Sequence, residues 1–402
     1  LSIKNTFKIG FFCFLLLTFF SCSSKDSNEE QIEELNLSSI SQFSSNQETQ
    51  TLTVTSNVNW TVNKNVSWFS FTPSRGSNNN VINISVEANP SINNRSGIIT
   101  VESNTISKSI TIVQAGKVNS GDLDPNKAPS ENFDLSTWKL NTPENNGNGF
   151  SKTITVSEIN NRYEDKNYFC TADDGGMVFK CPIAGFKTSA NTSYTRVELR
   201  EMLRGTNTNI PTQGVNKNNW VFGSSPQADK NAAAGFDGEM NATLAINYVT
   251  TTGSSSHVGR VIIGQIHAND DEPIRLYYRK LPNNNLGSIY FAHEPRDGFG
   301  SEKWYEMIGS RSNSASNPSD GIALNEKFSY QIKTINNTLT VTISRDGKAD
   351  IVETVDMSNS GFDKSGQYQY FKAGLYQGNN SGNSDDYVQA TFYKLEKTHT
   401  TN

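Results

Sequence analysis

Three stretches of this chain alternate apolar and polar residues with the period of a β-strand, and their polar sides carry reactive groups. In TRVELRE, Val197 and Leu199 alternate with Arg196, Glu198 and Arg200. In RVIIGQIHAND, Val261, Ile262, Ile263 and Ile266 read as core residues, while Gln265 and His267 share the face opposite Ile266. In QYFKAGLYQG, Tyr370, Lys372, Gly374 and Tyr376 alternate with Phe371, Ala373 and Leu375. If the three strands share a sheet, their polar faces form a groove suited to an anionic, hydroxylated chain. IRLYYRK continues the pattern with Arg275, Tyr277 and Arg279, which extend the groove. Singly, each pattern has a plainer explanation: a surface ion-pair ladder, a structural histidine, a sheet aromatic. Their coincidence is what points to a site.

The same period dominates residues 131–398, in segments such as MVFKC, ATLAINYV, SIYFAHE, FSYQIKTI, TLTVTISR and VQATFYKLE. No amphipathic stretch of helical period competes with them. The fold class is therefore all-β, with a C-terminal jelly-roll β-sandwich that has a concave substrate groove. Residues 35–116 hold shorter strands such as TLTVTS, WTVNK and VINISVEANP, spaced as in a small immunoglobulin-like β-sandwich. Residues 117–130, KVNSGDLDPNKAPS, read as a linker, and 22–34 as a polar tether. Ahead of these, Lys4 and Lys8 precede an apolar run from Ile9 to Phe20, too short to span a bilayer comfortably. Residues 1–21 thus read as an export signal. Ser21-Cys22 resembles a bacterial lipoprotein site, with Phe19 where an aliphatic residue is usual; an ordinary signal peptide cut nearby is the alternative. Cys22 is the candidate lipidation residue, and an outer-membrane or cell-surface location follows from it.

Composition narrows the partners. A net charge of -5 argues against nucleic acid. Export permits a disulfide between Cys170 and Cys181, which flank a turn-like centre; two buried free thiols are the alternative. No CxxC pair, His-rich spacing or nucleotide motif occurs, so neither metal nor cofactor is expected. A monomer is expected.

The three strands resemble the signature strands of alginate lyases of polysaccharide lyase family 7. RVELR at 196–200 matches R-(S/T)-E-(L/V)-R, with Val197 where Ser or Thr is commoner. Gln265-Ile266-His267 matches Q-(I/V)-H, and YFKAGLYQG at 370–378 matches Y-x-K-A-G-x-Y-x-Q, with Gly378 in place of the final Gln. FDLSTWKLNTP at 133–143 resembles the family's opening segment. Residues 35–116 resemble the BACON domain of Bacteroidetes secreted proteins through Trp60, Trp68, the Pro73–Gly76 turn, NPSINNRSG at 89–97 and VQAG at 113–116. That unit reads as a spacer first and a sugar-binding module second.

The resemblance implies β-elimination from a polyuronate. Arg196 and Gln265 would neutralise the substrate carboxylate with help from His267. Tyr376 would donate a proton to the leaving oxygen, and act as base too for mannuronate; His267 would be the base for guluronate. The Ile of QIH goes with acceptance of guluronate. From the residues themselves, Glu198 between two arginines is an orienting group rather than a base. Arg200 and Lys372 suit carboxylates at neighbouring subsites, with Tyr370 beside them and Arg275 and Arg279 further along. Two rivals stand beside this reading. A jelly-roll glycoside hydrolase needs two facing carboxylic acids, and the E-x-D-x-x-E strand of laminarinase-like families is missing. A non-catalytic polysaccharide-binding protein does not need Tyr376 with His267. Whether loops such as 214–238 close one end of the groove decides endo or exo action.

Overall fold

A computed structural model describes residues 32–40, 43, 47–89, 95–114 and 123–401. The export signal, Cys22, most of the tether, the first part of the linker, and residues 90–94 and 115–116 of the BACON-like segments lie outside the described residues.

The N-terminal unit is two four-stranded sheets. Leu35–Leu37, Glu48–Ser56, Asn80–Val86 and Phe69–Thr72 form one, and Arg75–Ser77, Asn59–Lys64, Arg95–Glu102 and Ser107–Gln114 the other. Their alternating residues (Leu52, Val54, Ile82 and Ile84 against Val62, Ile99, Val101 and Ile112) close one core. Trp60 is buried in that core, and a Cβ on its neighbour Gly76 would lie 2.3 Å from the indole. Trp68 is half-buried, edge-on to Phe69, with the Arg95 guanidinium 4.5 Å from its ring centroid. Both rings are engaged within the unit.

The C-terminal unit is a sandwich of two larger sheets. Its first sheet runs Ser151–Ile154, Trp138–Asn145, Arg196–Glu201, Tyr370–Gln377, Arg260–His267, Ile274–Arg279, Leu286–His293 and Lys303–Ile308, with Ile322–Ala323 beside Leu286–His293. The second runs Phe169–Thr171, Met177–Pro182, Tyr387–Thr400, Gly235–Tyr248, Lys327–Ile335, Thr338–Arg345 and Ile351–Asp356, with Trp220–Val221 beside Gly235–Tyr248. Val197, Leu199, Val261, Ile263, Ile266, Phe371, Ala373 and Leu375 of the first sheet share a core with Phe179, Leu244, Ile246, Tyr330, Ile332 and Phe392 of the second. Each such large side chain contributes about 1.5–3 kcal/mol by leaving water. The described helices are single turns or little more: Pro129–Asn132, Val156–Ile159 and Gln227–Ala232.

Three sequence expectations change. Residues 123–130, read as linker, belong to the sandwich. Leu123 packs on its core, and Asn132 both accepts from the Asp124 N–H at 3.0 Å and donates to its carbonyl at 2.9 Å. Cys170 and Cys181 are free thiols. Phe169 pairs with Phe179 and Cys170 with Val178, so Cys181 points into the core while Cys170 points to the other face. A disulfide cannot bridge opposite faces of a sheet. Finally, Ile262 lies on the polar face with Tyr277, Tyr290 and Tyr376 rather than in the main core. The pairing shifts between Ile262 and Gly264, and the strict alternation breaks there.

One buried acid ties the two sheets together. Glu201, at the end of the Arg196–Glu201 strand, has no exposed surface. It accepts from Trp220 Nε1 at 3.1 Å and the Phe371 N–H at 3.0 Å, and pairs with Lys397 Nζ at 2.9 Å and His399 Nε2 at 2.8 Å.

Candidate active site

The three patterned strands are neighbours. Arg196–Glu201 pairs with Tyr370–Gln377, which pairs with Arg260–His267. Direct partners across the sheet form rows about 4.8 Å apart per strand. One row is Lys139, Arg200, Lys372, Gln265, Arg275. Another is Arg196, Tyr376, Ile262, Tyr277, Tyr290. His267 stands opposite Tyr370. All four candidate catalytic residues thus lie on one face, within three adjacent strands.

Glu198 is the hub. Its carboxylate accepts from Arg196 Nη1 at 3.1 Å, from Lys372 Nζ at 2.5 Å and from Gln265 Nε2. Burial by itself would raise this carboxyl, but Lys372 and Arg196 outweigh it and hold it below the usual carboxylate range. An ionised, 2% exposed carboxylate with three donors already bound is an anchor. It fixes Arg196, Lys372 and Gln265, one from each strand, and leaves the buried Nε–H of Arg196 without a protein partner.

Arg200 and Arg279 hold loops. Arg200 donates to the carbonyls of Glu201 at 2.6 Å and Thr212 at 2.9 Å, and to Asn219 Oδ1 at 2.9 Å. Its guanidinium covers the Tyr370 ring at 3.9 Å. Arg279 donates to the carbonyls of Arg311 at 2.9 Å and of Ser255, and to Asn313 Oδ1 at 2.9 Å. Arg275 is ringed by Glu272 at 3.4 Å, Glu294 at 3.0 Å and Glu302. The groove-extending arginines of the sequence reading therefore have protein partners.

Tyr376 is half-buried under the Arg196 guanidinium, 4.0 Å from its ring centroid. Burial raises its phenol above the ordinary value, with Arg196 pulling the other way, so at neutral pH it carries its proton. Tyr194, which the sequence reading missed, meets its ring edge-on at 6.0 Å and accepts a hydrogen bond from Arg260 at 3.2 Å. His267 stacks on Tyr370 with centroids 5.1 Å apart and planes 11° from parallel. Its Nδ1 lies 2.7 Å from the Ala268 carbonyl and its Nε2 3.1 Å from Glu272 Oε1. Burial and the Lys372 ammonium push the imidazolium down, against the Ala268 carbonyl. Glu272 was also missed; only the acidic run in HANDDEP marked it.

Comparison with known proteins agrees with this geometry. The alginate lyase family model matches residues 133–399, and the viral BACON domain model matches residues 30–117. An alginate lyase from Klebsiella pneumoniae is 56% identical over 280 residues, covering 68% of this chain and 91% of the relative. The crystal structure of the alginate lyase from Klebsiella pneumoniae superposes with a TM-score of 0.67 at 55% identity, over 68% of this chain and 98% of that one. An exolytic family 7 alginate lyase from Zobellia galactanivorans shares the fold at a TM-score of 0.53 and 22% identity, over 69% of this chain and 99% of its own. The chain belongs to the alginate lyases of polysaccharide lyase family 7, and carries a BACON-like domain ahead of the lyase fold.

Proposed function

We propose that the protein cleaves the 4-O-linked uronate chain of alginate by β-elimination, leaving an unsaturated uronate at the new end. The observation that carries this is the placement of Arg196, Gln265, His267 and Tyr376 on one face of three adjacent strands. The proton at C-5 is alpha to a carboxylate whose negative charge opposes carbanion formation. Donors fixed before the substrate arrives stabilise the charge that grows on that carboxylate. Arg196 and Gln265, both held by Glu198, are such donors. The C-5–H electron pair becomes the C4–C5 double bond, the C4–O bond breaks, and Tyr376 protonates the leaving oxygen. In mannuronate the base is the Tyr376 tyrosinate, formed by loss of the phenol proton to water and favoured by the Arg196 guanidinium over its ring. It takes the C-5 proton and passes it to the leaving oxygen. In guluronate, whose proton faces the other way, His267 takes it.

A hydrolase reading fails on Glu198, which is ionised, buried and fully engaged, and so is a poor member of an acid pair. Guluronate acceptance goes with Ile266, whose side chain sits in the core and acts only through the position of its strand. Attachment through a lipid on Cys22 remains part of the proposal, read from the sequence alone; labelling with a radioactive fatty acid, lost in Cys22→Ser, tests it. Incubation with polymannuronate and polyguluronate, followed by ultraviolet absorbance of unsaturated uronate, tests the reaction. Reducing ends without that absorbance mean hydrolysis, and no new ends mean binding alone.

A further inference from the structure

His267 has an acceptor at each ring nitrogen. A carbonyl only accepts, so the 2.7 Å contact to Ala268 puts a proton on Nδ1. An ionised carboxylate also only accepts, so the 3.1 Å contact between Nε2 and Glu272 Oε1 becomes a hydrogen bond when Nε2 is protonated. The neutral ring is thus the Nδ1–H tautomer, and when it takes up a second proton that proton lies between Nε2 and Glu272 Oε1. Both groups are shielded: the His267 side chain is 20% exposed and that of Glu272 15%. Stacking on Tyr370 fixes the ring plane, and Arg275 Nη1 at 3.4 Å holds the other oxygen of Glu272.

We propose that Glu272 is a positioning residue for His267: it retains the ring's mobile proton and so sets the pH below which Nε2 is closed to a substrate C–H. This rests on the lyase reading. To serve as base, Nε2 must first be free of that proton; it then takes the C-5 proton while Tyr376 gives its own to the leaving oxygen, and exchange with water restores both. Burial, Lys372 and Arg196 oppose charge on the ring, the Ala268 carbonyl and Glu198 favour it, and Tyr370 covers one face. Glu272 is the anion in direct contact. An opposite charge at this distance moves a titration by about one to three pH units.

The test is the pH dependence of kcat/KM on polyguluronate for the full chain and for Glu272→Gln. Glutamine keeps the size and donates an N–H to Nε2, so the ring stays in place but loses its counter-charge. The acidic limb is expected to move to lower pH by about one unit or more. A limb that stays put, or moves up, overturns the proposal. In parallel, 15N-histidine spectra of the substrate-free protein, with His267→Asn for assignment, follow the ring directly. They are expected to show its proton released at a lower pH in Glu272→Gln, and an unchanged titration overturns the proposal even where the variant turns over poorly. Absence of unsaturated products from the unaltered protein would instead sink the lyase reading and leave the spectra to judge the pair.

Discussion

The phenol of Tyr376 and the imidazole of His267 lie on the same sheet face, and the proposed mechanism gives them different duties that substitution separates. Tyr376→Phe keeps the ring under Arg196 and against Tyr194 while removing the proton donated to the leaving oxygen. A general acid contributes about a hundred- to ten-thousand-fold, so kcat on both polymannuronate and polyguluronate is expected to fall by that range with the melting temperature little changed. Full activity in this variant would remove the elimination mechanism. His267→Asn is expected to cost far more on polyguluronate than on polymannuronate, because in the proposed mechanism only guluronate uses the ring as base. Comparing kcat on the two polymers checks this, and equal losses would make His267 a binder of carboxylate alone.

Pairing between elements places these side chains, and this is where the sequence was legible in part. Alternation alone identified the polar faces of TRVELRE, QIH and YFKAGLY, because a period of two assigns faces without any knowledge of neighbours. That the three strands are adjacent was not legible, since pairing joins residues up to about 180 positions apart through long-range contacts that no local pattern encodes. The break at Ile262–Gly264 was hidden for a related reason. Tyr330 Oη donates to the Ile263 carbonyl at 3.0 Å, and a Cβ on Gly264 would lie 2.8 Å from that oxygen. Gly264→Ala is thus expected to destabilise by about 1–3 kcal/mol through overpacking, measured by denaturant unfolding. Glu201 was equally silent in RVELRE, its partners coming from strands far along the chain. Burial would raise its carboxyl, but Lys397 and His399 outweigh that and depress it well below the unfolded value of about 4.3. A depressed carboxylate contributes stability that is fully present above its unfolded pKa and is lost as pH falls toward the folded one. Unfolding free energy is therefore expected to drop with acidification below about pH 5, and Glu201→Gln to remove part of that slope while costing about 3–5 kcal/mol at neutral pH.

On the scale of the whole molecule, the chain divides into two units with separate cores, and every groove residue lies in the second. Trp60 and Trp68, the aromatic candidates for a sugar platform in the first unit, are committed to its core and to Phe69 and Arg95. A unit with its own core folds on its own terms. The chain from residue 121 onward is therefore expected to cleave short soluble oligomers with the same kcat and KM as the whole protein. A large fall in kcat would show that the first unit builds part of the site. The starting point matters, and the structure says where it lies. Starting at residue 131 removes Leu123, which packs on the core, and Asp124, whose N–H and carbonyl both bond Asn132. It also removes Ala128, buried at the head of the Pro129–Asn132 turn, whose N–H bonds Glu131 Oε2 at 3.0 Å. Partial burial of one leucine and three hydrogen bonds sum to about 3–5 kcal/mol, with each hydrogen bond near 1 kcal/mol. The 131 start is expected to melt below the 121 start by several degrees. Its kcat at low temperature should be unchanged, since no lost residue reaches the groove. Equal melting temperatures would return residues 123–130 to the role of a linker.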